Sequence, residues 1–317
     1  MKAMMMTQFG GPEVFEEREI PIREPQAQKV LVKVYATSVN VMDGQIRQGL
    51  APWFGIQPPA ILSYDVSGEV VAVGKGVDNF QVGDEVYYSP TPYMPGSNAE
   101  YHVVQEAIVA RKPSNLSHLE AASLPLVGTT AWEALVNRAQ LKAGETILIH
   151  GGTGGVGSLA IQLARAVGAI VFTTCRGRNR EFVQALGAEE AIDYTQEDAS
   201  AAVNRLTQKA GVDVVFDAVG HETLSRSIAA TKWSGRLVSI VGPAGDLNAG
   251  YYKNVTIHFA NCQRARSTLD ALRDLIEQGQ IKPIIEMVLS LRSLAQAHRR
   301  LEEGGVRGKI VLQVKED

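Results

Sequence analysis

The sequence predicts an α/β chain. A β-rich N-terminal domain comes first, then a doubly wound parallel sheet, then a C-terminal segment that returns to the first domain. Three observations carry this. Short strand patterns broken by Gly and Pro, with no helical pattern between them, run to about residue 125. From Thr146 strand and helix patterns alternate, as in a parallel sheet with helices on both faces. The first of those strands, Thr146-Ile-Leu-Ile-His150, runs into the glycine cluster Gly151-Gly152-Thr153-Gly154-Gly155-Val156-Gly157, and a helical apolar face follows.

Taken in order, Lys29-Val-Leu-Val-Lys-Val-Tyr35 alternates, and Gly68-Glu-Val-Val-Ala-Val73 and Asp84-Glu-Val-Tyr-Tyr88 read as further strands of a compact barrel-like domain. A helix over residues 119–139 is expected to bend or break near Pro125 and Gly128. Strands are predicted at 146–150, 170–174, 191–194, 212–217, 236–241 and 255–260. From Ser267 the pattern is helical again. Ser267 with Asp270 makes a capping-box-like start and Gly279 a stop; Ser293 with Gln296 starts a second helix, ended by Gly304 and Gly305. Lys309-Ile-Val-Leu-Gln-Val314 is a last strand. The expected domains are 1–124, 125–262 and the C-terminal return 263–317.

The 317 residues are enough for two domains with sizeable cores. At 45 % hydrophobic and 21 % charged, the composition is that of an ordinary soluble globular protein. Thirty-one basic against 34 acidic side chains give a net charge of −3, which makes no electrostatic case for a nucleic acid or an anionic membrane. Two cysteines, Cys175 and Cys262, cannot build a disulfide framework or a four-thiolate zinc site. Residues 1–6 lack the apolar core and cleavage pattern of a signal peptide, and no apolar run reaches membrane-spanning length. A cytoplasmic location is therefore expected.

Gly152, Gly154 and Gly157 complete a G-x-G-x-x-G between a strand and a helix. The first glycine permits the tight turn, the second a close approach of backbone to a pyrophosphate, and the third close helix–strand packing. Phosphates favour the helix N-terminus, so Thr153, Gly155 and Val156 join the expected cofactor contacts. An acid about twenty residues past the glycines commonly holds the ribose 2′-hydroxyl of NAD. Here the second strand ends at Phe172-Thr-Thr174 and Cys175-Arg176-Gly-Arg178-Asn-Arg180 follows, with no acid and three arginines. Guanidinium forks suit a 2′-phosphate, so the sequence favours NADPH. Arg176 and Arg178 are the better candidates, since Arg180 falls on the next helix. Gly242 and Pro243 follow the fifth strand at its cofactor-facing end.

In this order the segments Ser38-Val-Asn-Val-Met-Asp43, Tyr64-Asp-Val-Ser-Gly68, Val82-Gly-Asp-Glu-Val86, Gly128-Thr-Thr-Ala131, His150-Gly-Gly-Thr-Gly-Gly-Val-Gly157, Leu186-Gly-Ala188, Val215-Phe-Asp-Ala-Val-Gly220 and Arg307-Gly-Lys-Ile-Val311 carry a resemblance that runs nearly end to end. The chain resembles the medium-chain dehydrogenase/reductase superfamily, in particular its zinc-independent quinone oxidoreductase branch, with zeta-crystallin-like quinone reductases as relatives. The resemblance implies a GroES-like N-terminal domain, an inserted Rossmann domain and a C-terminal return. It places Thr129 near the cofactor amide or phosphates and Tyr194 beside the adenine. Val219, in the Val215–Gly220 segment, is counted with the cofactor contacts.

Zinc alcohol dehydrogenases of the superfamily carry a Cys, a Gly-His-Glu and a second Cys. By the surrounding residues, these fall on Asn40, on Tyr64 and Asp65, and near Leu126. Asn, Tyr and Leu cannot complete a tetrahedral zinc site, so no metal is expected. At positions implied to face the nicotinamide, Asn40 can hydrogen-bond substrate or cofactor amide, and Tyr64 can donate a hydrogen bond or proton. Either can instead satisfy loop backbone. Asp43 and Asp65 are expected to be structural, bonding backbone or an arginine. Trp53, Phe54, Tyr93 and Met94 lie on loops and can line an apolar cleft. His150 is expected to pack rather than act as a base, and both cysteines to be inert.

Without a Lewis acid, hydride transfer to a simple ketone is harder, whereas a quinone or an α,β-unsaturated carbonyl is already electrophilic. A quinone reductase using NADPH is the leading expectation. An enone or alkenal reductase and a non-catalytic, crystallin-like NADPH-binding protein are the alternatives. A homodimer is expected through Val255-Thr-Ile-His-Phe-Ala260, the apolar edge of the six-strand order, an arrangement the resemblance also implies. A C-terminal helix covering that edge is the competing account.

Overall fold

The computed structural model describes residues 1–315, which divide into two compact units. One contains residues 1–126, 264–277 and 283 onward; the other contains 127–263 and 278–282.

The first unit is built on the 11-residue strand Lys29–Val39, in which Val30, Val32, Val34 and Ala36 are wholly buried. The alternate residues of this stretch face the core, while Leu31 and residues 37–39 are buried as well, as in a strand at the centre of its sheet. It pairs with Val66–Val73, Tyr101–Gln105 and Lys309–Gln313 in a seven-stranded sheet. The antiparallel register sets Ile310 opposite Val39 and Val311 opposite Ser38, which carries Lys309 to the end of the strand where Asn40 begins a helix. A three-stranded sheet of Phe15–Glu19, Lys2–Met6 and Ala60–Ile61 completes the strands of this unit.

The second unit is a six-stranded parallel sheet. Its order is Glu190–Asp193, Ile170–Cys175, Thr146–His150, Val212–Asp217, Thr231–Ser239, Thr256–Phe259. Ile147, Leu148 and Ile149 of the central strand are fully buried, as expected of a strand covered on both faces. The helix Gly155–Val167 turns Leu159, Ala160, Leu163 and Ala164 inward and stops at Gly168, whose φ of +92° is a left-handed cap. Thr256–Phe259 forms one edge of the sheet.

One local expectation holds at Pro125 but not at Gly128, and two are corrected. The helix expected over 119–139 runs as His118–Ala121, Pro125–Trp132 and a π-helical stretch Glu133–Arg138. Its break precedes Pro125, which disfavours helix in the residue before it, while Gly128 is accommodated. Ser267 lies inside the helix Arg266–Glu277, not at its cap. Residues 285–290 are a strand, Ile285–Ser290, paired in parallel with Lys309–Gln313; it is only half-buried, so its own sequence gave no clear alternation.

Candidate active site

In the second unit, every predicted cofactor residue except Thr129 sits in the glycine turn, opens the helix Gly155–Val167 or follows the carboxyl end of a parallel strand. Gly151 has φ +77°, and its N–H reaches Thr174 Oγ1 at 3.2 Å. Gly152 N–H donates to Thr174 O at 3.2 Å and Gly154 N–H to Gly151 O at 3.1 Å, which closes the turn. A Cβ at Gly152 would run into Thr173 Oγ1, and one at Gly157 into the Gly151 carbonyl. At Gly154, among the described residues and its chain neighbours aside, such a Cβ meets nothing nearer than Gly151 O at 3.7 Å, so this glycine faces open space at the helix start. Close packing at two glycines and an open face at the third is the cradle that a pyrophosphate needs, and it fits a dinucleotide.

Arg176 Nε donates to Tyr194 OH at 3.1 Å, so the strand order brings together an arginine and a tyrosine 18 positions apart. Arg178 is exposed in the following 3-10 turn, Gly177–Asn179. Sequence reasoning missed Asp193, which the sheet register sets opposite Cys175. Its carboxylate accepts from Thr195 N and Oγ1 at 3.0 and 2.7 Å. Those Thr195 bonds, foremost, with a further bond from the Gly177 backbone, hold its pKa below the usual carboxylate value, so this acid is tied both to its own turn and to the 3-10 turn that carries Arg178. Val219 is half-exposed in a turn fixed by Asp217 Oδ1, which accepts from Val219 N at 2.9 Å and Gly220 N at 3.0 Å. Gly242 has φ +112° beside the exposed Pro243. Thr129 is buried in the Pro125–Trp132 helix.

In the first unit, Asn40 caps the short helix Val41–Arg47 and is buried. Its Nδ2 donates to Asp65 Oδ2 at 2.8 Å and, more loosely, to Ser38 O at 3.4 Å. Its Oδ1 accepts from Lys309 Nζ. Asp65 is fully buried; it also accepts from Ser38 Oγ at 2.7 Å, Leu126 N at 2.7 Å and Lys309 Nζ at 3.2 Å. Asp65 thus bonds backbone as expected, through Leu126 N, and its cation is Lys309 rather than an arginine. No spacing signal finds that residue, because 269 positions separate it from Asn40. Asp43 accepts from Asn40 N at 2.8 Å, and burial pushes its carboxyl up to about 7.

Tyr64 is completely buried, and its hydroxyl has no hydrogen-bond partner among the described residues. Burial, then the nearby Asp43 charge, push this phenol well above its usual pKa, with Arg264 opposing. Such a phenol keeps its proton. It suits hydrogen-bond donation to a ligand better than proton release, and an orphaned buried hydroxyl is the kind of group that a ligand satisfies.

The loop of residues 89–98 is tied to the segment before the strand Val66–Val73 by Ser89 Oγ to Tyr64 O at 2.7 Å and Ser97 N to Ser63 O at 3.0 Å. It carries the exposed Tyr93 and Met94. Trp53, Phe54 and Tyr93 form a chain of ring contacts, 5.9 and 6.1 Å between centroids. His150 is buried with Nε2 at 2.8 Å from Ser227 Oγ, and burial holds its pKa down at about 4, so it packs as a neutral ring. Cys175 is buried and burial raises its thiol pKa; Cys262 Sγ accepts from Thr130 Oγ1 at 3.4 Å.

Known families match this chain. The profile of the alcohol dehydrogenase GroES-like domain matches residues 26–114, and that of zinc-binding dehydrogenase residues 186–312. The chain is 36 % identical to an NADPH-dependent alkenal/one oxidoreductase of Arabidopsis thaliana, over 98 % of this chain and 79 % of that protein. It is 36 % identical to the solved quinone oxidoreductase of Coxiella burnetii, with TM-score 0.91 and 99 % of each chain covered. A structure described as an NAD-dependent alcohol dehydrogenase matches with 34 % identity and TM-score 0.93, over 99 % of this chain and 100 % of that one.

Zinc does not fit the donors present. Asn40 Oδ1 and both Asp65 oxygens are already engaged by Lys309, Ser38, Asn40 and Leu126 N. Tyr64 keeps its proton, and Leu126 has no side-chain donor. Among the described residues no group of three or more His, Cys, Asp or Glu is placed to hold a metal.

Proposed function

Because the chain belongs to the medium-chain dehydrogenase/reductase superfamily, in its quinone oxidoreductase branch, we propose that it is an NADPH-dependent, zinc-independent reductase that delivers hydride to a quinone. The observation that carries this reading is the donor set of the first unit. Asn40, Tyr64, Asp65 and Lys309 offer hydrogen bonds and charge but no metal site, which suits an acceptor that is electrophilic without a Lewis acid. NADPH, when bound, supplies the hydride. The glycine turn holds its pyrophosphate, Arg176 and Arg178 its 2′-phosphate, and Tyr194 lies beside its adenine. Tyr64 donates to the acceptor's oxygen.

We assign residues 1–124 to substrate handling, 125–262 to NADPH and 263–317 to the return segment, in a cytoplasmic enzyme. An enone or alkenal acceptor is the second reading, favoured by the name of the Arabidopsis relative. Steady-state NADPH oxidation with a quinone panel and an enone panel is the test. Turnover with quinones is expected; turnover with enones alone moves the assignment to the second reading. NADPH binding without any turnover leaves a binding protein.

We also propose a homodimer through the edge strand Thr256–Phe259. The half-exposed Phe259 on this strand supports it. Sedimentation at micromolar concentration is expected to give a dimer, and Ile257→Pro, which removes a ladder donor, a monomer. A dimer unchanged by that proline in a folded chain places the interface elsewhere. No helix is long and apolar enough to cross a membrane among the described residues.

A further inference from the structure

Lys309 is buried, yet Asp65 does not need it to satisfy its oxygens. Ser38 Oγ, Asn40 Nδ2 and Leu126 N already donate to that carboxylate at 2.7, 2.8 and 2.7 Å. An ammonium is expensive to desolvate, and a neutral pair of similar volume is often as stable or more so. What Lys309 adds is charge, and it adds it to one particular place: Nζ donates both to Asp65 and to Asn40 Oδ1. The Asn40 carboxamide therefore lies between a cation at its oxygen and an anion at its nitrogen, and it cannot flip. Its second N–H goes to Ser38 O at 3.4 Å, beyond good hydrogen-bond length, and is weakly committed. A cation on an amide oxygen makes the amide N–H a stronger donor.

We propose that Lys309 is a positioning residue of the reductase site: it locks and polarises the Asn40 carboxamide, whose loosely held N–H donates to the acceptor oxygen on which negative charge develops. The inference rests on the reductase reading above. The acceptor gains a hydride, hence two electrons, from the dihydronicotinamide, which is oxidised. One acceptor oxygen then bears a negative charge until it takes a proton from water. Lys309 keeps its own protons throughout, and its charge takes the place of the metal that these donors do not bind.

The test uses Lys309→Met/Asp65→Asn, which removes both charges together, and Lys309→Gln, which keeps a donor without the charge. Each is assayed with NADPH and a series of quinones of falling reduction potential, alongside melting temperature and NADPH affinity by fluorescence. Expected are unchanged NADPH affinity and quinone KM. The expected kcat loss is about a hundredfold for the weakest electrophile, on the scale of losing an oxyanion donor, and smaller for stronger ones. Lys309→Arg, which keeps the charge, is expected to retain the parent's dependence on acceptor potential. A kcat within about threefold of the parent, or the same loss with every quinone, overturns the proposal, since a merely structural lysine would not alter that dependence. Should the double variant not fold, Lys309→Gln decides by the same criteria. A parent chain that turns over none of the acceptors refutes the reductase reading, and this role with it; an active parent with unselective variants refutes this role alone.

Discussion

Gly154 and Gly157 belong to one motif but are predicted to fail in opposite ways. Gly154 has φ −72° and ψ 172°, an extended conformation open to any residue, and an added Cβ meets nothing closer than 3.7 Å. Gly154→Ala should therefore fold. Exchanging glycine for alanine at this N-cap costs about 1 kcal/mol, or about 3 °C of Tm in a unit of this size. The same Cβ projects where the pyrophosphate must approach. Losing even one or two charge-assisted N–H contacts there should weaken NADPH binding by about tenfold to a hundredfold. At Gly157 the added Cβ runs into the Gly151 carbonyl and lies 3.0 Å from Gly152 Cα, all backbone that cannot swing aside. Gly157→Ala should cost about 1–3 kcal/mol from overpacking, partly offset by alanine's better helix propensity. Thermal melting and fluorescence titration with NADPH separate the two effects. Gly154→Ala that binds NADPH as tightly as the parent would refute the cradle; Gly157→Ala with an unperturbed Tm would refute the packing argument.

Replacing Arg176 and Arg178 together with alanine should raise the NADPH KM by about tenfold or more while leaving the NADH KM nearly unchanged; equal affinity of the parent for both cofactors would contradict the 2′-phosphate assignment. Tyr64→Phe removes an orphaned buried hydroxyl, so Tm should hold or rise while kcat/KM for the acceptor drops about tenfold; a variant as active as the parent leaves that hydroxyl without a role in turnover. Burial holds His102 and His150 down at about 4 and His298 at about 3. The unfolded chain therefore binds these protons first, near pH 6.5, and stability present above that pH is lost as pH falls toward 4. Asp43, raised to about 7, works the other way: the folded chain protonates first, which adds stability over the same fall. Burial also lowers His258, and four groups against one leave a Tm that decreases from pH 6.5 to 4, less steeply in His298→Leu. A flat or rising profile in calorimetry would contradict this.

Local pattern was enough for the nucleotide-binding half. A buried parallel strand, a glycine turn and an amphipathic helix are contiguous in sequence, so Thr146 to Val167 was legible, as was the run of arginines after the second strand. The family resemblance added Asn40 and Tyr64 as positions to examine, but not their partners. Tertiary structure decided those. Lys309 meets Asn40 only because the strand Lys309–Gln313 pairs antiparallel with the end of Lys29–Val39, and Asp193 faces Cys175 only through parallel register. The strand Ile285–Ser290 escaped because a half-buried strand takes its identity from its neighbour's backbone. Residue type and spacing fix which groups are available. Burial and register, which depend on pairings across the whole chain, decide which of them keep their charge, which are spent on one another and which remain to meet a ligand.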